Sequence, residues 1–134
     1  MAKAESSLTN HGVGRRKSSV ARVWLKQGTG KVEANGKNYK EYFDTNFNRT
    51  TVVLPFKICG LEKKFDAMIS VTGGGLTGQA GAAQLGIARA LLASNQSLKP
   101  VLKQNELLTV DSRVKERKKY GQKAARRKFQ FVKR

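Results

Sequence analysis

Two stretches of the chain alternate apolar and polar residues in the way that predicts strands with one buried face. Residues 19–26 and residues 65–72 both place an apolar side chain at every second position. In the first stretch, Arg22 and Trp24 fall on the side opposite the apolar residues. The apolar sides of the two expected strands consist of Ala21, Val23, Leu25, Phe65, Ala67, Ile69 and Val71.

Turn signals follow the first expected strand. Residues 27–30 (Gln-Gly-Thr-Gly) favour a turn through their glycines, and Asn35-Gly36 is typical of a two-residue β-hairpin loop. We therefore expect one antiparallel ribbon, made of residues 22–25, 31–34 and 37–39.

A helical composition marks the segment after the second expected strand. Residues 79–94 contain mostly Ala, Leu, Gln and Ile, and Ala80, Ala83, Ile87 and Leu91 share one face at helical spacing. Because so many of these side chains are small, the helix is expected to pack closely on a sheet.

Weaker patterns surround these elements. Shorter helices are expected over residues 48–56, with Pro55 near the end, and over residues 100–104, whereas residues 106–110 favour a last strand. Tyr42, Phe43 and Phe47 are expected to anchor the core. The 134 residues fit one domain, with a polar lead-in at 1–12, a globular part at 13–111 and a basic tail at 112–134.

Charge is distributed unevenly along the chain, which has 27 Lys and Arg residues against 9 Asp and Glu and a net charge of +18. Residues 1–30 carry a net charge of +5, residues 31–111 carry +3 and residues 112–134 carry +10. The middle therefore has an ordinary globular composition, while the two flanking segments attract polyanions.

Several classes of function lack the residues that they need. No stretch approaches the roughly 18 apolar residues of a membrane span, and residues 1–10 lack the apolar segment of a secretory signal, so a cytosolic protein is expected. The only cysteine, Cys59, excludes an internal disulfide and a structural zinc site, and it is expected to fill space beside Ile58. The only histidine, His11, is expected to be a solvated loop residue.

The spacing Gly73-x-Gly75-x-x-Gly78 matches a dinucleotide-binding fingerprint between an expected strand and an expected helix. That interpretation needs an acidic residue about 20 positions further on, and residues 95–99 contain none. Two interpretations remain open and are compatible. One is a tight connection with close packing of the helix on the sheet, and the other is a cluster of backbone N–H groups that receives an RNA phosphate.

Two further chemical patterns are weak. Residues 28–31 (Gly-Thr-Gly-Lys) lack the full phosphate-loop pattern, because Leu25 and Val32 stand where it needs Gly and Ser or Thr, so a hairpin turn is expected. Glu41 and Asp44 are expected to be surface charges. With no complete catalytic constellation, we expect no enzyme, no cofactor, no metal and no small-molecule substrate.

Basic residues cluster in a way that favours RNA as the partner. Residues 15–19 (Arg-Arg-Lys-Ser-Ser) supply cations and hydroxyls just before a strand, and guanidinium groups pair bidentately with phosphate oxygens. Tail cations group at residues 117–119, 126–128 and 133–134, and such self-repelling charges are expected to order only against counter-charges. The tail lacks the apolar helix face that binds a membrane. The charge alone does not exclude DNA, but the chain shows no helix-turn-helix or zinc-finger pattern.

The end of the tail adds aromatic rings and reach. Phe129 and Phe131 would point to one side of an extended backbone, where each ring would either stack on a base or pack in an apolar notch. Packing is preferred because Val132 follows. Fully extended, residues 123–134 would span roughly 35–40 Å, enough to thread through a folded RNA.

Four segments resemble the bacterial-type ninth protein of the small ribosomal subunit. They are residues 14–23 (Gly-Arg-Arg-Lys-Ser-Ser-Val-Ala-Arg-Val), 73–81 (Gly-Gly-Gly-Leu-Thr-Gly-Gln-Ala-Gly), 86–91 (Gly-Ile-Ala-Arg-Ala-Leu) and 123–134 (Lys-Ala-Ala-Arg-Arg-Lys-Phe-Gln-Phe-Val-Lys-Arg). The resemblance runs from about Gly12 to the C-terminus. The chain departs from the family at Gln84-Leu85, where a basic residue or His is common, and at Val110, where Arg is common.

The resemblance implies an α+β fold, with a single two-layer domain like the second domain of the fifth small-subunit ribosomal protein and a long, extended basic C-terminal tail. It implies docking on small-subunit ribosomal RNA in the head, beside neighbouring ribosomal proteins, and a tail that reaches peptidyl-site transfer RNA. Lys133 and Arg134 would meet the anticodon-stem backbone. Contacts to ribosomal RNA are expected at Arg15, Arg16, Lys17, Ser18, Arg22, Gly74, Gly75, Arg113, Arg117, Lys118, Lys119, Lys123, Arg126, Arg127 and Lys128.

The expected function is therefore that of a structural constituent of the small ribosomal subunit, which supports translation without catalytic activity. The alternative is a basic protein subunit of an RNA-processing enzyme. Cleavage of RNA by the purified chain would distinguish the two.

Overall fold

The computed structural model describes residues 10–110 and Tyr120, which form a five-stranded mixed sheet with helices packed on one face. The elements are β1 (Asn10–Arg16), β2 (Ser19–Gln27), β3 (Val32–Ala34), β4 (Lys37–Asn38), α1 (Tyr39–Tyr42), α2 (Asn46–Cys59), β5 (Phe65–Thr72), α3 (Leu76–Ser94), a 3-10 turn (Gln96–Leu98) and α4 (Lys99–Gln104). The expected α+β class is confirmed. Among these described helices, none is long and apolar enough to cross a membrane.

The two alternating stretches form strands β2 and β5, as predicted, and the structure shows that these strands are neighbours in the sheet. Their antiparallel register places Val23 opposite Ile69 on the buried face. Each such side chain contributes roughly 1.5–3 kcal/mol when it is fully buried. The buried residues of the two strands include Ala21, Val23, Leu25, Ala67, Ile69 and Val71, while Phe65 at the start of β5 is half-buried.

The expected antiparallel ribbon is wrong in its first part. The sheet order is β1-β2-β5-β3-β4, so β5 separates β2 from β3 and pairs with β3 in parallel. Only the β3–β4 hairpin forms as predicted, through Asn35-Gly36. Tyr39, expected in the third strand, begins α1 instead. Local turn chemistry specified the hairpin, but a strand from much later in the chain lies beside β2.

The edge strand β1 was not predicted. It pairs antiparallel with β2 along its whole length, so residues 10–12 of the expected lead-in belong to the sheet. Gly12 and Gly14 face α3, and a Cβ on Gly14 would collide with the backbone of Ala82 and Gly86. Because glycine stands where an apolar side chain would show the alternation, the pattern of this strand is hidden in the sequence.

Helix α3 is longer and more fully buried than expected, since it begins at Leu76 rather than at residue 79. The predicted face is buried, and so are side chains on other faces, because β1, β2 and α2 all pack against the helix. Its buried apolar residues are Ala80, Ala82, Ala83, Leu85, Ile87, Ala88, Ala90 and Leu91. The main core therefore lies between α3 and the sheet.

Helix α2 contains the helix expected over residues 48–56 and extends it at both ends. Pro55 lies inside the helix and has no N–H to donate to the carbonyl of Thr51, four residues earlier. That carbonyl accepts a hydrogen bond from Nε2 of Gln84 at 3.1 Å instead. Gln84, one of the positions at which the chain departs from the resembled family, thus joins α3 to α2.

The remaining expectations had mixed outcomes. Phe43 is fully buried and Tyr42 packs against the core, but Phe47 is 71% exposed, so its assignment as a core anchor was wrong. Helix α4 covers the helix expected over residues 100–104. The strand expected over residues 106–110 does not form, although Leu107 is buried in a small second cluster.

Candidate RNA interface

Two segments that the sequence singled out separately lie side by side at one end of the sheet. The hydroxyl of Ser19, in the β1–β2 hairpin, donates a hydrogen bond of 2.9 Å to the carbonyl oxygen of Gly73. A Cβ on Gly73 would lie 2.5 Å from the carbonyl oxygen of Ser18, and φ is +76° at Gly73 and +61° at Gly74. Glycine is therefore required both for the backbone conformation and for the close contact, which supports the packing interpretation.

Residues 73–75, here called the Gly73 loop, are held in place by a chain of hydrogen-bonded side chains. The Gly73 carbonyl also accepts a bond of 3.1 Å from Nε2 of Gln79, which is buried at the start of α3. The hydroxyl of Tyr42 donates to Oε1 of Gln79 at 2.6 Å and accepts from Nδ2 of Asn35 at 3.2 Å. The loop is thus tied to the β3–β4 hairpin as well as to β2.

The N-terminus of α3 opens to solvent beside this loop. Gly75 is the N-cap residue, no described side chain caps the helix there, and a Cβ on Gly75 would meet no atom within 4 Å. The first N–H groups of a helix have no partner within the helix and carry partial positive charge. This end of the sheet therefore presents donors to solvent.

The basic hairpin residues take different directions. Arg15 is exposed on the sheet face away from the helices. The half-buried Arg16 lies across α3, and a Cβ on Gly81 would collide with its Cδ and lie 2.8 Å from its Nη1. Lys17 and Ser18 are exposed in the two-residue turn, in which Lys17 has a φ of 54°. The Ser19 hydroxyl, expected among the phosphate donors, is buried and bound to Gly73, so that expectation was wrong.

The sheet face away from α2 and α3 is here called the open face. It carries Arg22 and Trp24, as the alternation predicted, and also His11 and Met68, whose positions the sequence analysis did not predict. Arg22 is exposed, and two residues further on Trp24 is half-buried. His11, on β1 rather than in a loop as expected, places its ring centroid 5.2 Å from that of Trp24, and Met68 of β5 is 60% exposed. The alternation that identified the buried faces could also have located Met68.

Residues 28–31 are not a hairpin turn, because the strands that they join are not neighbours. The loop instead wraps around Asp66, whose Oδ1 accepts hydrogen bonds from the backbone N–H groups of Thr29, Gly30 and Lys31 at 3.0, 3.0 and 2.9 Å. These bonds lower the pKa of Asp66 from its ordinary value, and the bond from the N–H of Lys31 has the largest effect. The anion in this cluster of N–H groups is thus the chain's own carboxylate.

Three other chemically notable residues, Cys59, Glu41 and Asp44, behave as expected. Cys59 is half-buried, and burial raises the pKa of its thiol, which fits a packing role. Glu41 and Asp44 are exposed. Within residues 10–110, no group of three His, Cys, Asp or Glu side chains is arranged to hold a metal ion. The expected contacts at Arg113, Arg117, Lys118, Lys119, Lys123, Arg126, Arg127, Lys128, Lys133 and Arg134 lie outside the described residues.

Comparison with known proteins agrees with the resemblance found in the sequence. The model of the family described as ribosomal protein S9/S16 matches residues 14–134. The small ribosomal subunit protein uS9 of Thermotoga neapolitana is 53% identical over 132 residues, which cover 96% of this chain and 98% of the relative. The uS9 proteins of Thermotoga maritima and Chlorobium chlorochromatii are 52% and 50% identical, covering 92% and 91% of this chain and 95% of each relative.

These matches define first a class, that of ribosomal proteins, which have a structural role and are not enzymes. More narrowly, the chain belongs to the ribosomal protein S9/S16 family. Its place is therefore within the ribosome, and the alternative of a subunit of an RNA-processing enzyme finds no support in the matches.

Proposed function

We propose that this protein is a structural constituent of the small ribosomal subunit in the cytoplasm. Its body binds small-subunit ribosomal RNA in the head, beside neighbouring ribosomal proteins, and its tail reaches peptidyl-site transfer RNA. The names of the relatives support the small subunit. We also retain the expected likeness of the body to the second domain of the fifth small-subunit protein, which a superposition of the two would test.

The observation that carries the RNA-binding role of the body is the meeting of the basic hairpin with the Gly73 loop. We call the exposed part of this meeting point the hairpin–loop surface, formed by residues 15–18 and 73–75. It combines guanidinium and ammonium groups, the Ser18 hydroxyl and the uncapped N-terminus of α3. All of these groups donate to phosphate oxygens, and such contacts position a protein on a nucleic acid without specifying sequence.

The tail supplies the larger share of the charge, with eleven bases against one acid in residues 112–134. Each phosphate that it neutralises releases condensed counterions, so binding is favoured by entropy and weakened by salt. Contacts with ribosomal RNA are assigned to Arg113, Arg117, Lys118, Lys119, Lys123, Arg126, Arg127 and Lys128. Contacts with the transfer RNA backbone are assigned to Lys133 and Arg134.

The hairpin–loop surface is tested by removing two of its cations. The variant Arg15→Gln/Lys17→Gln is compared with Lys57→Gln/Lys103→Gln, which loses the same charge from exposed positions on α2 and α4. Binding of an irregular fragment of small-subunit RNA is measured by fluorescence anisotropy at several salt concentrations. The first variant should flatten the log–log salt slope by about 0.7 per lost phosphate contact, and the control by much less. Equal slopes in the two variants would contradict the assignment.

The end of the tail is tested in assembled small subunits. Deletion of Lys133 and Arg134 should leave the protein folded and incorporated, and it should weaken retention of peptidyl-site transfer RNA in a filter-binding assay. Lys63→Gln/Lys64→Gln, with the same loss of charge at exposed body positions, is the control. Full retention by the deletion variant would remove the transfer RNA contact from the proposal.

A further inference from the structure

A row of flat and soft side chains crosses the middle of the open face. The strand register places His11 opposite Trp24, and Trp24 opposite Met68. The His11 ring lies at 43° to the indole, with 5.2 Å between the centroids, so it supports one side of Trp24. On the other side Met68 remains 60% exposed, although it lies on β5, between two neighbouring strands. None of the described helices packs on this face.

Cations flank the indole along β2. Arg22 and Lys26 lie two residues before and after Trp24, on the same face and both exposed. Within the described part of the chain, neither side chain forms a hydrogen bond or a salt bridge. Lys26 lies opposite Asp66 on β5, and its positive charge helps to lower the pKa of that carboxyl.

The nearby carboxylates already have partners. Asp66 accepts three backbone N–H groups of the loop at residues 28–31. Glu33 forms a salt bridge of 2.9 Å with Lys31. The open face therefore offers an aromatic ring between two cations. Of the two neighbouring acids, Glu33 pairs with Lys31, whereas Asp66 binds the loop and also faces Lys26.

A shallow groove runs between Trp24 and Met68, and its lining also includes Lys26, Lys31, Glu33, Asp66 and Ala67. We propose that this groove receives an unpaired base of the bound RNA, stacked on the indole of Trp24, with the adjoining phosphates paired to Arg22 and Lys26. The proposal rests on the proposed function and adds a base-stacking site to it. A protein segment would need correctly placed acidic side chains to pair with the two cations, whereas every nucleotide brings both a flat base and an anionic backbone.

The base must be unpaired for a physical reason. In a duplex both faces of each base are already stacked, and unstacking costs free energy, whereas bases in loops and bulges expose a free face. Stacking on an aromatic side chain tolerates any base, because every base has a π-face. The site therefore selects single-stranded RNA over duplex without selecting a sequence.

Trp24 is the only tryptophan of the chain, so its fluorescence reports this site alone. The full chain is titrated with a single-stranded RNA oligonucleotide of mixed sequence and with a duplex of the same sequence. Total binding is followed separately, by anisotropy of a label on the RNA. We expect the single strand to quench Trp24 and the duplex to bind without comparable quenching.

Variants separate the site from the rest of the RNA-binding surface. Trp24→Leu should lower the affinity for the single strand by about 5- to 150-fold, and Trp24→Phe by much less. Met68→Ala, at an exposed position where the fold is not at risk, should lower it by a few fold. Phe47→Ala is the matched control, because it removes an exposed ring from α2, on the other layer of the molecule.

The outcomes distinguish this inference from the proposed function. Anisotropy that shows binding, with no quenching and no effect of Trp24→Leu or Met68→Ala, would overturn the stacking site and leave the open face to a protein neighbour. RNA binding as such would still stand in that case. If Phe47→Ala lowered the affinity as much as Trp24→Leu, the location of the site on the open face would be refuted. Absence of any binding in the anisotropy titration would overturn both proposals.

Discussion

Lys17 occupies a backbone conformation that glycine or asparagine adopts more easily. Its φ of 54° lies in the left-handed region, which costs an L-residue with a Cβ about 1–2 kcal/mol, and two-residue hairpin loops usually place Gly or Asn there. A cation at a strained turn position fits a functional role better than a structural one.

Replacement of Lys17 should therefore separate stability from binding. We expect Lys17→Gly to raise the free energy of unfolding by about 0.5–1 kcal/mol, since the relieved strain exceeds the extra entropy of the unfolded glycine. RNA affinity should fall because a phosphate partner is lost. Urea denaturation and RNA anisotropy measure the two effects. Lys17→Ala, which keeps the strain, should lose affinity without gaining stability.

Asp66 gives the fold a dependence on pH. Three backbone N–H groups favour its charged form, so its pKa in the folded protein lies below the ordinary value of 3.8. A lowered folded pKa stabilises the fold above the unfolded pKa, and this stabilisation is lost as the pH falls through the folded value.

We expect Asp66→Asn to destabilise the protein by about 1–2 kcal/mol at pH 7, because the loop N–H groups lose a charged acceptor. The difference from the unchanged protein should shrink below about pH 4 and disappear at lower pH. Urea denaturation across this range measures it, with the exposed carboxylate variant Asp44→Asn as control. A difference that is the same at pH 3 and pH 7 would contradict this account.

At the scale of elements, backbone contact between β1 and α3 explains the many small residues of both. A Cβ on Gly12 would lie 2.6 Å from the backbone nitrogen of Ala90, and one on Gly14 would collide with the carbonyl oxygen of Ala82. Neither element can move away without opening the core, because β1 also pairs with β2.

Gly14→Ala should therefore destabilise the protein by about 3 kcal/mol or more, since rigid backbone rather than a side chain opposes the new methyl group. Gly75→Ala is the matched control, because its Cβ would meet nothing within 4 Å, and loss of the glycine N-cap should cost less than about 1 kcal/mol. Thermal unfolding of the two variants compares them. Similar melting temperatures would refute the steric explanation.

The pairing of α2 and α3 makes a further prediction at this scale. Gln84→Ala should cost about 1–2 kcal/mol, because the Thr51 carbonyl would lose its donor. Pro55→Ala restores an N–H that can serve the same carbonyl, so Gln84→Ala should cost less in that background. A double-mutant cycle measured by urea denaturation gives the coupling. Additive effects would show that Gln84 does not compensate for the proline.

At the scale of the whole molecule, the apolar core and most of the charge occupy different parts of the chain. The last buried apolar residue of the described part is Leu107, whereas residues 112–134 carry a net +10. Folding is thus assigned largely to the body and polyanion binding largely to the tail. The body takes part in the proposed binding only through the hairpin–loop surface and the open face.

Truncation after Asp111 tests this division. The shortened protein should unfold cooperatively at a melting temperature equal to or slightly above that of the full chain, because it keeps every core residue of the described part and charge repulsion falls. Its salt slope for RNA binding should be much smaller. Loss of cooperative unfolding would show that the tail stabilises the body.

The sequence by itself determined those features that depend on neighbours along the chain. Alternation located β2 and β5, Asn35-Gly36 located one hairpin, small helix-forming residues located α3, and runs of cations located the segments proposed to bind RNA. Each of these signals is a local periodicity, a turn preference or a local charge, and none needs a distant partner to be recognised.

Only the tertiary structure decided which distant segments meet. It inserted β5 between β2 and β3, revealed a strand in which glycines replace the apolar side chains, and joined Ser19 to Gly73 across 54 positions. It also aligned His11, Trp24 and Met68 on three strands. Such contacts depend on the register and order of the sheet, and these follow from packing of the whole core rather than from any single stretch of sequence.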